Sequence, residues 1–220
     1  MQATMPFEFM QCITIARSTG KKAKGLRELR DMIAVVGPSS IHHHTCQYFL
    51  KGRVLDYTND FAQWAGESLE ERALSEHLSI VDPYDCADIE EPRKKLLGVI
   101  DEYMKSFAVP RDALPGNEFF FNEGLTVVFP AGLRAGNLAE FLMALKSMGK
   151  SSIYYHFYEA RTCNGVDDFS TWVLGSVGKE KLAGKIRAID PFMNSTEGVR
   201  NHIIRAVEDE IRAEMAGEPS

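Results

Sequence analysis

The sequence has no excess of basic residues: 25 Lys and Arg stand against 31 Asp and Glu, a formal net charge of −6. A dedicated nucleic-acid binder needs the opposite balance on at least one face, so that class is set aside. The densest basic run, Lys21, Lys22, Lys24, Arg27 and Arg30, reads as a solvated helix entrance. Cysteine is sparse as well. Cys12, Cys46, Cys86 and Cys163 show no CxxC spacing, so neither a zinc knuckle nor a disulfide framework is expected, and reduced thiols in a cytoplasm are the simplest reading. No run approaches the ~18 apolar residues of a membrane span. The opening MQATMPFEFMQC has no basic segment followed by a long apolar core. The expectation is a cytoplasmic protein that engages neither membrane nor nucleic acid.

Catalytic signatures are missing too. No glycine-rich elbow surrounds a serine, and Gly175-Ser-Val-Gly178-Lys179 has neither the phosphate-loop spacing nor a hydroxyl residue after its lysine. A dinucleotide-binding fingerprint is absent. What remains is an ordinary globular composition, 45% hydrophobic and 25% charged, in a chain of 220 residues that is long enough to bury a substantial core.

Compared with itself, the chain repeats. Gly20, Ala23, Leu26, Glu28, Gly37, Ser39, Ser40, Ile41 and His44 fall on Gly132, Ala135, Leu138, Glu140, Gly149, Ser151, Ser152, Ile153 and His156. Further on, Asp60, Phe61, Trp64, Ser68, Leu74, Asp82 and Pro83 fall on Asp168, Phe169, Trp172, Ser176, Leu182, Asp190 and Pro191. This predicts a tandem duplication of a helical module of about 100 residues, packed about a pseudo-two-fold axis. Residues 1–104 form the first module, 105–118 a linker, and 119–220 the second. The fold class expected is mainly α, as α+β with a short β-hairpin or small sheet.

The local patterns supply the elements. Leu26, Leu29, Ile33 and Val36, like Leu138, Phe141, Leu145 and Met148, recur at helical spacing and stop at Gly37 and Gly149. A second helix is expected to be capped by Ser39 or Ser40, and by Ser151 or Ser152. The third begins at Asp60 or Asp168, read as caps, with Gln63 completing a capping box. A fourth ends at the Asp-Pro pairs, and a last amphipathic helix covers roughly Pro92–Met104 and Val199–Met215. Strand signal is confined to Phe7–Phe9 and to Phe119–Phe129, which reads as a hairpin turning at Gly124.

His44 and His156 sit on the apolar side of the second helix, beside Ile41, Thr45 and Tyr48 in one case and Ile153, Phe157 and Ala160 in the other. His42, His43, Tyr154 and Tyr155 fall on other faces, where ring size matters more than chemistry. The plain reading of the two inward histidines is a core imidazole bonded to a carboxylate or carbonyl, with Glu28 and Glu140 as natural partners. The functional reading is a pocket in each half lined by His44, Glu28, Asp60 and Trp64, or by His156, Glu140, Asp168 and Trp172, where an imidazole moves a proton or binds a ligand. The tryptophans read first as core or interface aromatics, with stacking on a sugar or base as the alternative. Metal is not expected. The alternative is His42 and Cys46, one turn apart, which the second half does not reproduce.

FEFxxC near the start, GLRAGNLAEF leading into SSIYYHF, then DFSTW and an Asp-Pro pair together resemble an uncharacterised bacterial and archaeal domain-of-unknown-function family of similar length. The first half departs by reading HHHT where YYHF is expected. The resemblance implies a prokaryotic cytoplasmic protein and brings no cofactor or catalytic residue. The function expected is a non-enzymatic binding or regulatory protein with pseudo-equivalent sites near the inward histidines, taking a small-molecule ligand or protein partner and able to form a homo-oligomer. A hydrolase using a His/Glu acid-base pair and a protein–protein interaction scaffold are the alternatives.

Overall fold

The computed structural model describes residues 2–47, 56–86, 88–107 and 112–216. Tyr48, expected on the inward face beside His44, lies outside them. The elements in chain order are β1 (Gln2–Ala23), α1 (Leu26–Val35), α2 (Pro38–Thr45), α3 (Asp60–Glu67), α4 (Arg72–Ser79), α5 (Glu90–Ser106), β2 (Phe119–Asn137), α6 (Leu138–Ser147), α7 (Lys150–Ile153), α8 (Ala160–Asn164), α9 (Asp168–Trp172), α10 (Glu180–Arg187) and α11 (Thr196–Ala216). Two π-helical turns, Tyr154–Glu159 and Val173–Val177, follow α7 and α9.

The strands correct the expected fold class. A mainly α chain with a short hairpin, built as a tandem duplication of a helical module, is not what forms. β1 runs for 22 residues and β2 for 19, paired as one two-stranded antiparallel sheet. Phe119–Phe129 does not turn back on itself: β2 passes straight through Gly124. That glycine serves a close approach, because a Cβ there would collide with the Gln47 side chain and lie 3.0 Å from Thr14. The true left-handed positions within the strands are Gly20 (φ 73°) and Gly132 (φ 74°).

By contact, one compact unit is residues 14–125 and the other is residues 1–13 with 126–220, so both strands are divided between units. The alternation that marks a strand is visible only where a strand end covers helices: Phe119 and Phe121 are buried in the first unit, Phe7 and Phe9 in the second. Between those ends the strands carry residues such as Arg17, Ser18, Lys21 and Lys22, which face solvent and leave no apolar period to read.

The core of unit 14–125 is built by Leu26, Leu29, Ile33, Phe61, Leu78 and Ile100, with Phe119 and Phe121 laid over it. In the other unit Phe141, Leu145, Ile153, Phe169, Leu182 and Ile203 do the same beneath Phe9. Helix starts follow the usual chemistry at one-residue offsets from expectation. The caps of α3 and α9 are Asn59 and Asp167, whose side chains accept from Ala62 N at 2.9 Å and Ser170 N at 2.7 Å. Asp60 and Asp168 are therefore the first helical residues, and their carboxylates are released for another task. Gln63 closes no capping box: its Oε1 accepts from Asp56 N and Tyr57 N instead. Gly37 and Gly149 are the residues preceding α2 and α7, which likewise frees the serines behind them.

Of the rings expected on other faces beside His156, Tyr154 is buried and Tyr155 half-buried. Tyr154 and Tyr158 are both buried and stacked, with Tyr158 Oη donating to Asn194 O at 2.7 Å. Both rings lie in the π turn Tyr154–Glu159. His43 is buried in its turn, its Nδ1 3.2 Å from Gln47 Oε1.

Candidate functional site

In unit 14–125, Ser40 and His44 are one turn apart on α2 and both reach Asn122 of β2. Ser40 Oγ donates to Asn122 O at 2.8 Å, and Asn122 N donates to His44 Nε2 at 3.0 Å. The other ring nitrogen, Nδ1, lies 2.6 Å from Asp60 Oδ2. A backbone N–H can only donate, so Nε2 holds a lone pair, the ring proton sits on Nδ1, and Asp60 accepts it. The imidazole is neutral with both nitrogens engaged.

The second unit contains the same bonds. Ser152 Oγ donates to Met10 O at 2.5 Å, Met10 N donates to His156 Nε2 at 2.7 Å, and His156 Nδ1 lies 2.8 Å from Asp168 Oδ2. Here too a serine and a histidine on one helix grip the carbonyl and the amide of a single strand residue, as a neighbouring strand would. Each unit thus gives partners to the carbonyl and amide of a half-buried strand residue, and a hydrogen bond of this kind contributes about 0.5–1.5 kcal/mol net.

The surroundings close these rings off. The His44 side chain is 3% exposed and that of His156 4%. Phe61, Phe119 and Phe121 wall the first at centroid distances of 5.4, 4.8 and 6.0 Å. Phe7, Phe9 and Phe169 wall the second at 4.8, 6.1 and 5.4 Å. Of the carboxylates, Asp168 reaches water most, at 37%. The tryptophans add to the attachment: Trp64 Nε1 donates to Asn117 O, two residues before β2, and Trp172 Nε1 to Met5 O of β1, each at 2.7 Å.

The structure therefore brings Asp60 to His44 and Asp168 to His156, while Trp64 and Trp172 meet the intervening rings Phe119 and Phe7. It does not bring Glu28 or Glu140 to a histidine. Glu28 Oε2 accepts from Lys24 N at 3.0 Å, and Glu140 Oε2 accepts from Gly136 N at 2.7 Å while Asn137 caps Glu140 N at 2.9 Å, a reciprocal capping box at the start of α6. The His/Glu acid-base pair is not assembled. As for His42 and Cys46, among the described residues no group of three or more His, Cys, Asp or Glu side chains is placed to hold a metal ion. The cysteines are unbridged. Burial, and secondarily the Glu159 charge, push the Cys12 thiol up to about 11.

Open space lies elsewhere: one hollow of about 470 Å³ is lined by Arg17, Lys21, Gly37 and Glu123, and two more lie between α4 and α5 in unit 14–125. A cavity of about 560 Å³ is lined by the apolar side chains of Val81, Val99 and exposed Ile80, with Asp82, Asp85 and Lys95 at its rim. A second, of about 340 Å³, shares His77 and Val99 with it and ends at Tyr103 and Phe107. Those two rings stack at 4.7 Å. No sequence motif marks this place. Its only signals are two large apolar residues left in water, Ile80 at 75% and Phe107 at 52% exposure.

Among the described residues, no helix is long and apolar enough to cross a membrane. No curated protein matches the chain. Among solved structures, the chain is similar to one described as the structure of OrfY from Thermoproteus tenax, with 32% identity and a TM-score of 0.80 over 95% of this chain and 97% of that one. Residues 4–208 match the family described as a family of unknown function, DUF5752. With the match spanning nearly all of the fold, strand clamps included, the chain belongs to DUF5752.

Proposed function

We propose that this chain is a cytoplasmic, non-enzymatic binding protein whose His–Asp pairs are its frame and whose binding surface is the trough between α4 and α5. The observation that carries this is the contrast between the two places. The imidazoles have both nitrogens occupied behind phenylalanine walls, whereas the trough joins two cavities with an apolar lining and a charged rim. Volumes of ~300–1,000 Å³ with a few convergent polar groups are what small-molecule sites use. A small organic ligand, rather than nucleic acid or a membrane, is the partner this favours.

Titration of the full chain with the neutral apolar fluorophore Nile red tests the reading. Saturable binding that is lost in the double variant Ile80→Ser/Phe107→Ser supports it. Both residues are exposed, so the fold is kept. Binding unchanged in that variant, or no saturable binding at all, overturns it.

A further inference from the structure

Resting on that reading, we propose that the trough takes an amphipathic organic amine, its ammonium at Asp85 and its apolar body laid over Val99 toward Phe107. The charge at the rim decides the sign of the ligand. Lys95 is the cation lining that end, and it is already committed: its Nζ lies 3.3 Å from Glu91 Oε1 and donates to Cys86 Sγ at 3.2 Å. Asp82 is fixed by accepting from Tyr84 N at 2.7 Å, which aims the Asp-Pro turn. Asp85 is exposed and has no ion-pair partner among the described residues. Asp82 and Asp85 therefore outweigh Lys95, and a carboxylate ligand would meet like charge at this rim.

The far end suits the other half of the ligand. Beyond His77 and Val99 the trough closes on the stacked Tyr103 and Phe107 rings. Tyr103 Oη donates to Glu71 Oε2 at 2.5 Å, so that buried ring is held in place beneath the half-exposed Phe107, which offers the apolar contact. Glu102, on the same side, is matched by Lys105 at 3.7 Å, one helical turn away. The polar head and the apolar tail of the trough are thus at opposite ends.

The test is calorimetric titration of the full chain with n-octylamine, octanoate and 1-octanol, three ligands of equal length and different charge. The expected order of affinity is octylamine, then octanol, then octanoate. Asp85→Asn weakens octylamine about fivefold and leaves octanol unchanged, the size of one exposed charge contact. Octanoate binding as tightly as octylamine, or Asp85→Asn without effect on octylamine, overturns the amine assignment. If that happens while the alkyl ligands are still lost in Ile80→Ser/Phe107→Ser, the trough remains the binding surface and only the ligand class is wrong. If none of the three binds the unaltered chain, both readings fall.

Discussion

Ser152 and His156, a single helical turn apart, hold the two polar atoms of one strand residue, Met10: its carbonyl accepts from the serine and its amide donates to the histidine. Ser40 and His44 hold Asn122 in the same way. A serine and a histidine four residues apart are the smallest pairing that lets a helix substitute for a neighbouring strand, since one supplies a donor and the neutral ring an acceptor. This is why SSIHHH and SSIYYH agree at their second and last positions.

Removing either arm of the clamp should destabilise the protein by leaving a polar group of half-buried Met10 unpaired. Ser152→Ala and His156→Phe are each expected to cost about 1–3 kcal/mol in urea unfolding. The paired Ser152→Ala/His156→Phe variant should lose less than the sum, because both act on one residue. Values near zero for both single variants would mean that the strand does not depend on the clamp.

Acidification should weaken the attachment of α1 to α5. Arg30 bonds Asp101 through two nitrogens, at 2.9 and 3.1 Å, and holds its carboxyl below the usual carboxylate range. A carboxyl lowered by folding adds stability above its ordinary value and loses it as pH falls through the lowered one. Asp101→Asn should therefore flatten the fall in stability on the acid side, and the effect should shrink at high salt because the pair is partly exposed. An acid limb identical in the variant and the parent would contradict this.

Thiol reactivity should separate the cysteines. Cys12 is buried and its thiol is pushed up to about 11, so at pH 8 a maleimide should modify exposed Cys163 well before Cys12 in the folded protein. Peptide mass analysis of a time course reads this directly. Equal rates at the two sites would show that the β1 segment opens readily.

Glycine placement offers a backbone test. Gly20 has φ 73° inside β1, whereas Gly37 has φ −62° and open space around its Cα. Gly20→Ala should cost about 1–2 kcal/mol from the left-handed conformation, and Gly37→Ala should be close to neutral. Equal thermal stability of the two variants would refute the assigned geometry of β1.

Most helices were legible in the sequence because Leu26, Leu29 and Ile33, or Leu138, Phe141 and Leu145, carry a 3.6-residue period that needs no tertiary information. The strands were not. β1 and β2 expose most of their length, with Arg17 paired to Glu123 and Thr19 bonded to Phe121 O across more than a hundred residues of chain, and no local pattern encodes such a pairing. The repeated segments were accordingly read as a self-contained helical module occurring twice, whereas the contact units divide both strands. His44 and His156 are legible as inward residues bonded to a carboxylate or carbonyl, and the structure gives each a carboxylate. Their partners were misassigned by one step: Asn59 and Asp167 take the capping role, which frees Asp60 and Asp168 for the rings, while Glu28 and Glu140 serve their own helix entrances. The trough between α4 and α5 is invisible in the sequence because a cavity is what side chains fail to fill, and no motif marks Val81 or Val99.

The central claim is that the two inward imidazoles are neutral framework groups rather than groups open to a ligand. Long-range proton–nitrogen correlation spectra of the histidine side chains at neutral pH test it most directly. The account predicts that His44 and His156 are both in the tautomer carrying hydrogen on Nδ1, with that proton protected from solvent exchange. Rings protonated on Nε2, or a mixture of tautomers in fast exchange with water, would contradict it.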